Sequence, residues 1–308
     1  MVTMRSAFGQ CLVELGYKRD DFVVLDADVA GGTGTHIFRS EFPDRFIQCG
    51  IAEQNMVSVA AGIASAGLIP VVTGYAVFLS MRAIEQVRNS IAYPCFNVKI
   101  VASHLGLDVG PDGATHQAIE DLAIFRAIPN FKVVAPADPI ELREAFSAVL
   151  DLEGPVYFRT GRSPIQSVYE GSAGFKIGEA SVLREGSDAT IIAVGVMVKR
   201  ALDAAGILER EGVSCRVVNM STIKPLDETT VIESAERTGL IVTAEDHNIL
   251  GGLGGAVAEV VARSCPVPVE MVGIKDCFGE SGEPWELACK YGLTPSDIVT
   301  AVKRLLDR

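Results

Sequence analysis

The sequence predicts an α/β protein of two consecutive domains with mainly parallel sheets, and three observations lead to this fold class. The chain has 308 residues, about twice the length of a typical domain. Hydrophobic residues make up 48% of it and charged residues 21%, an ordinary mix for a globular core that excludes disorder of the whole chain. Short β-branched runs alternate with helical patterns, which is typical of parallel strands covered by helices.

The first half of the chain holds six predicted strands, at residues 22–25, 45–48, 69–73, 98–102, 132–135 and 156–159. Helical patterns separate them, among them residues 53–66 and 83–92. Gly, Ser and Pro then collect between residues 160 and 178 without a helical period, which indicates a linker. We therefore predict a first domain over residues 1–165 and a linker over 166–180.

The strand–helix alternation resumes after the linker. Predicted strands lie at residues 189–194, 214–218, 240–244 and 267–272, again separated by helical patterns. The sequence therefore predicts a second α/β domain over residues 181–308.

The net charge of −12 predicts that nucleic acid and anionic membranes are not partners of this chain. No apolar run approaches the roughly 18 residues of a membrane span, and the start, Met1 to Arg5, lacks the apolar core of a signal peptide. We therefore expect a soluble cytoplasmic protein. The seven cysteines show no C-x-x-C spacing, so we expect buried free thiols and no metal site.

Candidate ligand-binding residues follow the predicted strands, because open α/β sheets bind ligands beyond the carboxyl ends of their strands. Glu53 begins a helical pattern whose later residues are almost all apolar or small, so we expect a buried helix. A carboxylate there either serves the helix start or has a functional partner. Tyr75, Phe78 and Met81 recur at spacing three, which indicates a core stripe or an aromatic wall for a flat heterocycle.

The densest polar segment is residues 103–117, a loop with two histidines and two aspartates: His104, His116, Asp108 and Asp112. Long loops on a rigid scaffold commonly carry function. The spacing fits no common metal-ligand motif, so acid–base work or hydrogen bonds to a substrate are the favoured interpretation.

Three arginines are candidates for anion binding. Arg159 and Arg162 follow a predicted strand end and could hold a phosphate or carboxylate through two hydrogen bonds, unless they are solvated surface charges. Arg5 could join them only if the fold brings the N-terminal segment close.

Two glycine-rich runs lie at residues 31–36 and 251–255. The first lacks the residues of either common phosphate loop. The second follows a strand and opens a helix, so a nucleotide site remains an alternative to close helix–sheet packing.

In this order along the chain, several of these segments resemble the transketolase family of thiamine-diphosphate enzymes. They are residues 50–56 (Gly-Ile-Ala-Glu-Gln-Asn-Met), Tyr75-Ala-Val-Phe78, the loop from His104 through Asp112-Gly-Ala-Thr-His116-Gln, and residues 155–162. The resemblance covers essentially the whole chain. It identifies the C-terminal half of a transketolase, which occurs as a separate β-like subunit in split enzymes. The first domain would then be the pyrimidine-binding domain and the second the transketolase C-terminal domain.

The resemblance implies roles for the candidate residues. Glu53 would hydrogen-bond N1′ of the aminopyrimidine, and Phe78 would pack on that ring with Tyr75 beside it. Asp28 and Met81 would lie near the cofactor. The remaining assignments concern the sugar: Asp112 and His116 would contact its hydroxyls and the intermediate, while His104, Arg5 and Arg162 would bind its phosphate. His104, His116 and Glu53 would be the catalytic residues.

The sequence departs from the family pattern at several positions. Met81 stands where full-length transketolases usually have an aromatic residue, and Gly32 and Thr33 fall where a Ser helps to hold phosphate. Leu105 stands where an Asp commonly reads a sugar hydroxyl. Because Leu cannot make that hydrogen bond, we expect position 105 to influence substrate choice, and a branched sugar such as apulose 4-phosphate becomes a hypothesis.

The family binds diphosphate and Mg²⁺ with a Gly-Asp-Gly motif, and this sequence contains none. We therefore predict an N-terminal, α-like partner subunit that carries the motif and most of the Mg²⁺ site, in a self-associating α2β2 complex. The predicted activity is transfer of a two-carbon ketol unit between sugar phosphates. The alternatives are a 1-deoxyxylulose-phosphate synthase-like or 2-oxo-acid dehydrogenase E1β-like subunit and, in another class, a non-catalytic nucleotide-binding or regulatory module at residues 251–255.

Overall fold

The computed structural model describes residues 3–307 of the chain. Residues 1, 2 and 308, the outer ends of the two predicted domains, lie outside the described residues. Two α/β domains with mainly parallel sheets are present, as the sequence predicts. Within residues 3–307, no helix has both the length and the apolar character needed to cross a membrane.

The first sheet has seven strands among the described residues, in the order β10-β5-β6-β4-β3-β1-β2. The strand bounds are β1 Phe22–Asp26, β2 Phe46–Gln48, β3 Ile69–Tyr75, β4 Lys99–Ser103, β5 Lys132–Val134, β6 Val156–Arg159 and β10 Thr222–Lys224. Six are parallel to their neighbours, and β10 runs antiparallel to β5. The five residues of β1 and of β4 are all buried, as expected for parallel strands covered on both faces.

Helical elements connect and cover these strands. They are α1 Met4–Gly16, α2 Ala30–Thr33, α3 His36–Glu41, α4 Glu53–Ser65, α5 Ile84–Gln86, α6 Asp121–Ala127 and α7 Pro139–Asp151. Their starts follow local chemistry: α7 has Asp138 as its N-cap, whose carboxylate accepts from the amides of Ile140 and Glu141, and a proline at its first position. Both features favour helix initiation at this point.

The second sheet has five strands within the described part of the chain, in the order β12-β11-β8-β9-β7. The bounds are β7 Ser181–Arg184, β8 Ala189–Ala193, β9 Cys215–Asn219, β11 Ile241–Asn248 and β12 Val269–Ile274. The helices are α8 Met197–Arg210, α9 Glu228–Thr238, α10 Leu253–Ser264, α11 Pro284–Tyr291 and α12 Pro295–Leu306. The sequence analysis missed β7, and it also missed β10, which extends the sheet of the other domain.

The structure corrects three further expectations. The predicted helix at residues 83–92 is only briefly α-helical, because π-helical turns at Phe78–Arg82 and Val87–Ala92 flank α5. Helix α4 is not fully buried, since its buried residues lie on one face while Gln54, Asn55 and Ser58 are exposed. The cysteines in the described residues are free, but Cys95, Cys277 and Cys289 are exposed rather than buried.

Candidate active site

The candidate site lies at the carboxyl ends of the four central strands of the first sheet. Strands β6, β4, β3 and β1 are neighbours and parallel, so the residues that follow them meet at one edge. Tyr75 is the last residue of β3, His104 follows the last residue of β4, and Arg162 lies three residues beyond β6. The sheet order thus places these predicted residues together.

Four rings form the centre of the site, and we call Tyr75, Phe78, His104 and His116 the ring cluster. The Tyr75 and His104 ring centroids lie 3.8 Å apart, and the Tyr75 and Phe78 centroids 6.3 Å apart with planes 29° from parallel. His116 meets Phe78 edge-on at 5.3 Å and Tyr75 at 6.3 Å. A flat, partly polar surface of this kind suits an aromatic or sugar ligand. Of the two interpretations of Tyr75 and Phe78, it therefore favours the aromatic wall over the core stripe.

His104 is held as a buried, neutral imidazole. Its backbone has a φ of +60°, which is uncommon outside glycine, and its ring lies against that of Tyr75. Its Nδ1 lies 2.9 Å from Oγ of Ser103. Burial and the positive charges of Arg162 and Arg5 lower the pKa of His104 to about 4. At neutral pH this ring therefore offers hydrogen bonds rather than positive charge.

The same charges identify Arg5 as a neighbour of the ring cluster. Burial and the Asp112 carboxylate raise the pKa of Tyr75, whereas the positive charges of Arg162 and Arg5 oppose that rise. Arg5 acts on Tyr75 and His104 from α1. The fold thus brings the N-terminal segment to the site, as the sequence analysis required for its role.

Asp112 and Arg162 form an ion pair beside the ring cluster. Nη1 of Arg162 lies 3.1 Å from Oδ2 of Asp112 and also donates to the carbonyl of Val109. The Arg162 side chain is 30% exposed and that of Asp112 35%. Each therefore has polar atoms available to a ligand, although an anion at Arg162 would compete with Asp112.

Glu53 has a specific partner that the sequence analysis missed. The Glu53 side chain is buried at the start of α4, and its Oε2 lies 2.8 Å from Nη1 of Arg82. The Arg82 guanidinium also lies 4.3 Å from the centroid of the Phe78 ring. Arg82 therefore connects the buried carboxylate to the ring cluster. The sequence could have indicated Arg82, because it lies four residues after Phe78 in a helical pattern and so on the same face.

Three further predicted residues have surroundings of their own. Asp28 is exposed beyond β1, with a φ of +65°, and hydrogen-bonds Gln48 through its backbone N–H at 2.9 Å. Met81 is 44% exposed. Leu105 is buried in the hydrophobic core, and its backbone bridges to Ala118. Their contacts with cofactor or substrate stay predictions.

Arg159 is neither available to a ligand anion nor a solvated surface charge, the two interpretations that the sequence offered. It is buried, and its Nε donates to Oδ2 of Asp121 at 2.8 Å while Nη2 donates to Oδ1. The two-point contact that the sequence suggested for a ligand is therefore made with a carboxylate of the same chain.

The glycine-rich run at residues 251–255 does not leave an open anion site. The Glu245 carboxylate accepts from the amides of Leu253 and Gly254 at 2.7 and 2.8 Å, at the N-terminus of α10. It thus occupies the position where a nucleotide phosphate would bind. A Cβ at Gly252 would lie 2.0 Å from Oε2 of Glu245. The glycines therefore serve close packing against Glu245, which counts against the nucleotide-binding alternative.

No group of three or more His, Cys, Asp or Glu side chains in residues 3–307 is arranged to hold a metal ion. The two carboxylates of the site are instead paired with arginines: Glu53 with Arg82 and Asp112 with Arg162. The site thus offers the aromatic faces of Tyr75 and Phe78, the hydrogen-bonding groups of His104 and of the Asp112–Arg162 pair, and the buried carboxyl group of Glu53.

The fold and this site define a two-domain α/β protein whose ligand site lies in the first domain. The family model for the transketolase pyrimidine binding domain matches residues 1–167, and the model for the transketolase C-terminal domain matches residues 178–298. The chain therefore belongs to the transketolase family, which depends on thiamine diphosphate, and the predicted resemblance is confirmed.

Individual relatives agree with this assignment. A 6-deoxy-6-sulfo-D-fructose transketolase subunit of Clostridium sp. is 43% identical over 99% of this chain and 95% of its own length. An apulose-4-phosphate transketolase subunit of Phocaeicola vulgatus is 38% identical over 97% of this chain and 96% of its own. The solved structure of a split gene transketolase, described as an inactive beta4 tetramer, is 48% identical with a TM-score of 0.94. It covers 100% of this chain and 99% of that chain.

Proposed function

We propose that this chain is the β-like subunit of a split transketolase that passes a two-carbon ketol unit from a ketose phosphate to an acceptor sugar phosphate. The observation that carries the proposal is the buried Glu53 carboxylate, joined through Arg82 to the ring cluster at the edge of the first sheet. Both the acid and the flat ring face are required where an aminopyrimidine binds.

The residues present fit the pyrimidine part of thiamine diphosphate. Tyr75 and Phe78 offer partly buried ring faces, and Glu53 offers a buried carboxyl group. That carboxyl accepts from Arg82, whose side chain is 46% exposed and would move aside for the pyrimidine nitrogen. Oε2 of Glu53 would then hold the proton shared with the pyrimidine nitrogen. The chemistry that the bound cofactor supplies is the nucleophilic carbon and electron sink for breaking and forming the C–C bond.

The diphosphate and metal part has no matching residues in this sequence, which lacks a Gly-Asp-Gly motif. We therefore place that motif and most of the Mg²⁺ ligands on an N-terminal, α-like partner subunit, in an α2β2 heterotetramer in the cytoplasm. The relatives support this assembly, because two are named as subunits and the β-only tetramer of a third is described as inactive.

The geometry of the ring cluster supports the sugar-binding roles that the family resemblance implies. Neutral His104 would present Nε2 to the sugar phosphate while its Nδ1 stays with Ser103. His116, whose Nδ1 lies 3.0 Å from Oγ1 of Thr115, would exchange a proton with a sugar hydroxyl. Asp112 would bind hydroxyls, and Arg162 and Arg5 would bind the phosphate.

The proposed donor substrate is a ketose that carries an anionic group at one end. The relatives named above act on a sulfonated fructose and on apulose 4-phosphate, so this subunit type serves unusual sugars. Leu105 follows His104 and is buried in the core; it is consistent with such a sugar, because it provides no hydrogen bond for a hydroxyl.

Reconstitution tests the proposal. The chain is mixed with the α-like subunit of its own source, thiamine diphosphate and Mg²⁺. It is then assayed with ketose phosphates, apulose 4-phosphate and 6-deoxy-6-sulfofructose as donors and, separately, with pyruvate. Glu53→Gln should reduce kcat at least about 100-fold, in the range lost when an acid–base group is removed, with assembly unchanged by size-exclusion chromatography. Glu85→Gln, at an exposed glutamate of α5, is the control. Equal activity of the Glu53 variant and wild type, or transfer of pyruvate-derived units only, contradicts the proposal.

A further inference from the structure

The loop that carries Asp112 is held by a carboxylate of the other domain. Residues Gly106–Asp112 form a 3₁₀ segment after β4. The amide of Leu107 donates to Oδ1 of Asp246 at 3.0 Å, and the amide of Asp108 donates to Oδ2 at 3.4 Å. Asp246 lies in β11 of the second sheet and is buried. The contact therefore joins the proposed sugar site to the second domain.

A second carboxylate transmits this contact to Arg162. Oδ2 of Asp108 accepts from the amides of Arg162 and Ser163 at 3.2 and 3.0 Å. The Arg162 guanidinium in turn contacts the carbonyl of Val109 and the carboxylate of Asp112. Asp246, Asp108 and Arg162 thus form one continuous path of hydrogen bonds, which ends on the two residues assigned to the sugar phosphate.

The backbone around Asp246 is shaped for this contact. Gly106 has a φ of +48°, and a Cβ at this position would lie 2.3 Å from the Asp246 carboxyl atoms. Any side chain there would push the loop away from the carboxylate, and the conformation itself favours glycine. The close approach explains why residue 106 is glycine, and it places the loop in direct contact with Asp246.

The surroundings of Asp246 combine burial with hydrogen-bond donors and positive charges. Burial raises the pKa of Asp246, while the amide of Leu107 and the charges of Arg200 and Arg159 oppose the rise. A cavity of about 20 Å³ beside Asp108, Asp246 and Arg159 lies between the two domains at this point. A carboxylate in such a setting gains most from fixed amide donors.

We propose that Asp246 is a positioning residue for the sugar-phosphate site, acting through the amides of Leu107 and Asp108 on the loop that places Asp112 and Arg162. The inference rests on the proposed function for its kinetic consequence. It also assigns to the second domain a part in substrate binding beyond assembly.

The neighbouring residue Glu245 provides a matched control. Both carboxylates lie in β11, both are buried, and each accepts from two backbone amides. Successive strand residues point to opposite faces, so Glu245 caps α10 while Asp246 holds the site loop. Asp246→Asn turns one oxygen into a donor that faces a loop amide, and Glu245→Gln makes the same change at α10.

The kinetic experiment compares both variants in the reconstituted complex. Asp246→Asn should raise the donor KM about tenfold with kcat within about twofold, an effect typical of a lost supporting hydrogen bond. Glu245→Gln should leave the donor KM within about twofold, even where its melting temperature falls equally. Equal donor KM values in the two variants, or a loss confined to kcat in Asp246→Asn, overturns the inference.

Hydrogen exchange on the chain without its partner gives a second readout that needs no activity. Asp246→Asn should speed exchange of the amides in residues 106–113 by at least about tenfold relative to wild type, whereas Glu245→Gln should speed it only in α10. Unchanged exchange at residues 106–113 overturns the inference, whatever the kinetics. A wild-type complex without ketol transfer refutes the proposed function instead. If Asp246→Asn does not fold, Gly106→Ala carries the same two expectations.

Discussion

Replacing Arg159 by Met should strongly destabilise the protein, because it leaves a buried carboxylate without its counter-ion. Asp121 is completely buried and Arg159 is 5% exposed. Burial alone would raise the pKa of Asp121, but the charge and hydrogen bonds of Arg159 hold it below its ordinary value. Breaking a buried pair on one side costs about 3–5 kcal/mol. The hydroxyl of Tyr157, 2.5 Å from Oδ2 of Asp121, still donates to the carboxylate in the variant. We therefore expect a loss near the lower end of that energy range.

The assay is thermal unfolding followed by circular dichroism, with a double-mutant cycle. A loss of about 3–5 kcal/mol corresponds to a fall in melting temperature of about 6–20 °C for a unit of the size of the first domain. Asp121→Asn should lose a similar amount, because it leaves a buried guanidinium. The double variant should recover at least about half of the summed losses, since no unpaired charge remains. Additive losses would refute the reasoning that the pair acts as a unit.

Two further predictions concern the ring cluster. With a pKa of about 4 in the fold against roughly 6.5 when unfolded, His104 binds a proton more readily in the unfolded chain. Its contribution to the free energy of unfolding should therefore be full above pH 7 and fall by about 3 kcal/mol between pH 6.5 and 4. Urea titrations at several pH values give the free energy of unfolding as a function of pH. Its slope between pH 6.5 and 4 should be shallower for His104→Asn, since Asn tolerates the positive φ; an unchanged slope contradicts this. Gly32→Ser should raise the donor KM about tenfold rather than improve phosphate binding, because a Cβ there would lie 2.5 Å from Oη of Tyr75; a lower KM would contradict the clash.

The sequence predicted the strands that alternate with helices, because a buried parallel strand has a strong local signature. It missed β7 and β10, which are short, antiparallel to their neighbours and recognisable only through their pairing. The gathering of Tyr75, His104 and Arg162 followed from the rule that parallel strands end at one edge.

Pairings between distant residues were beyond the sequence. Nothing local distinguishes Arg159, whose guanidinium binds Asp121, from Arg162, which reaches the site. The same holds for Glu53 with Arg82 and for Asp246 with the loop amides. Such partners are set by sheet order and domain contact, which a single sequence does not report.

Strand β10 makes the first sheet dependent on chain that is synthesised late. It comes after β9 of the second sheet in the sequence, yet it covers the edge of β5. During translation, residues up to β6 therefore emerge with an open strand edge, of the kind that invites wrong pairing. The edge closes only when residues 222–224 have left the ribosome. A break in the gene between the two domains would therefore separate β5 from the strand that covers its edge.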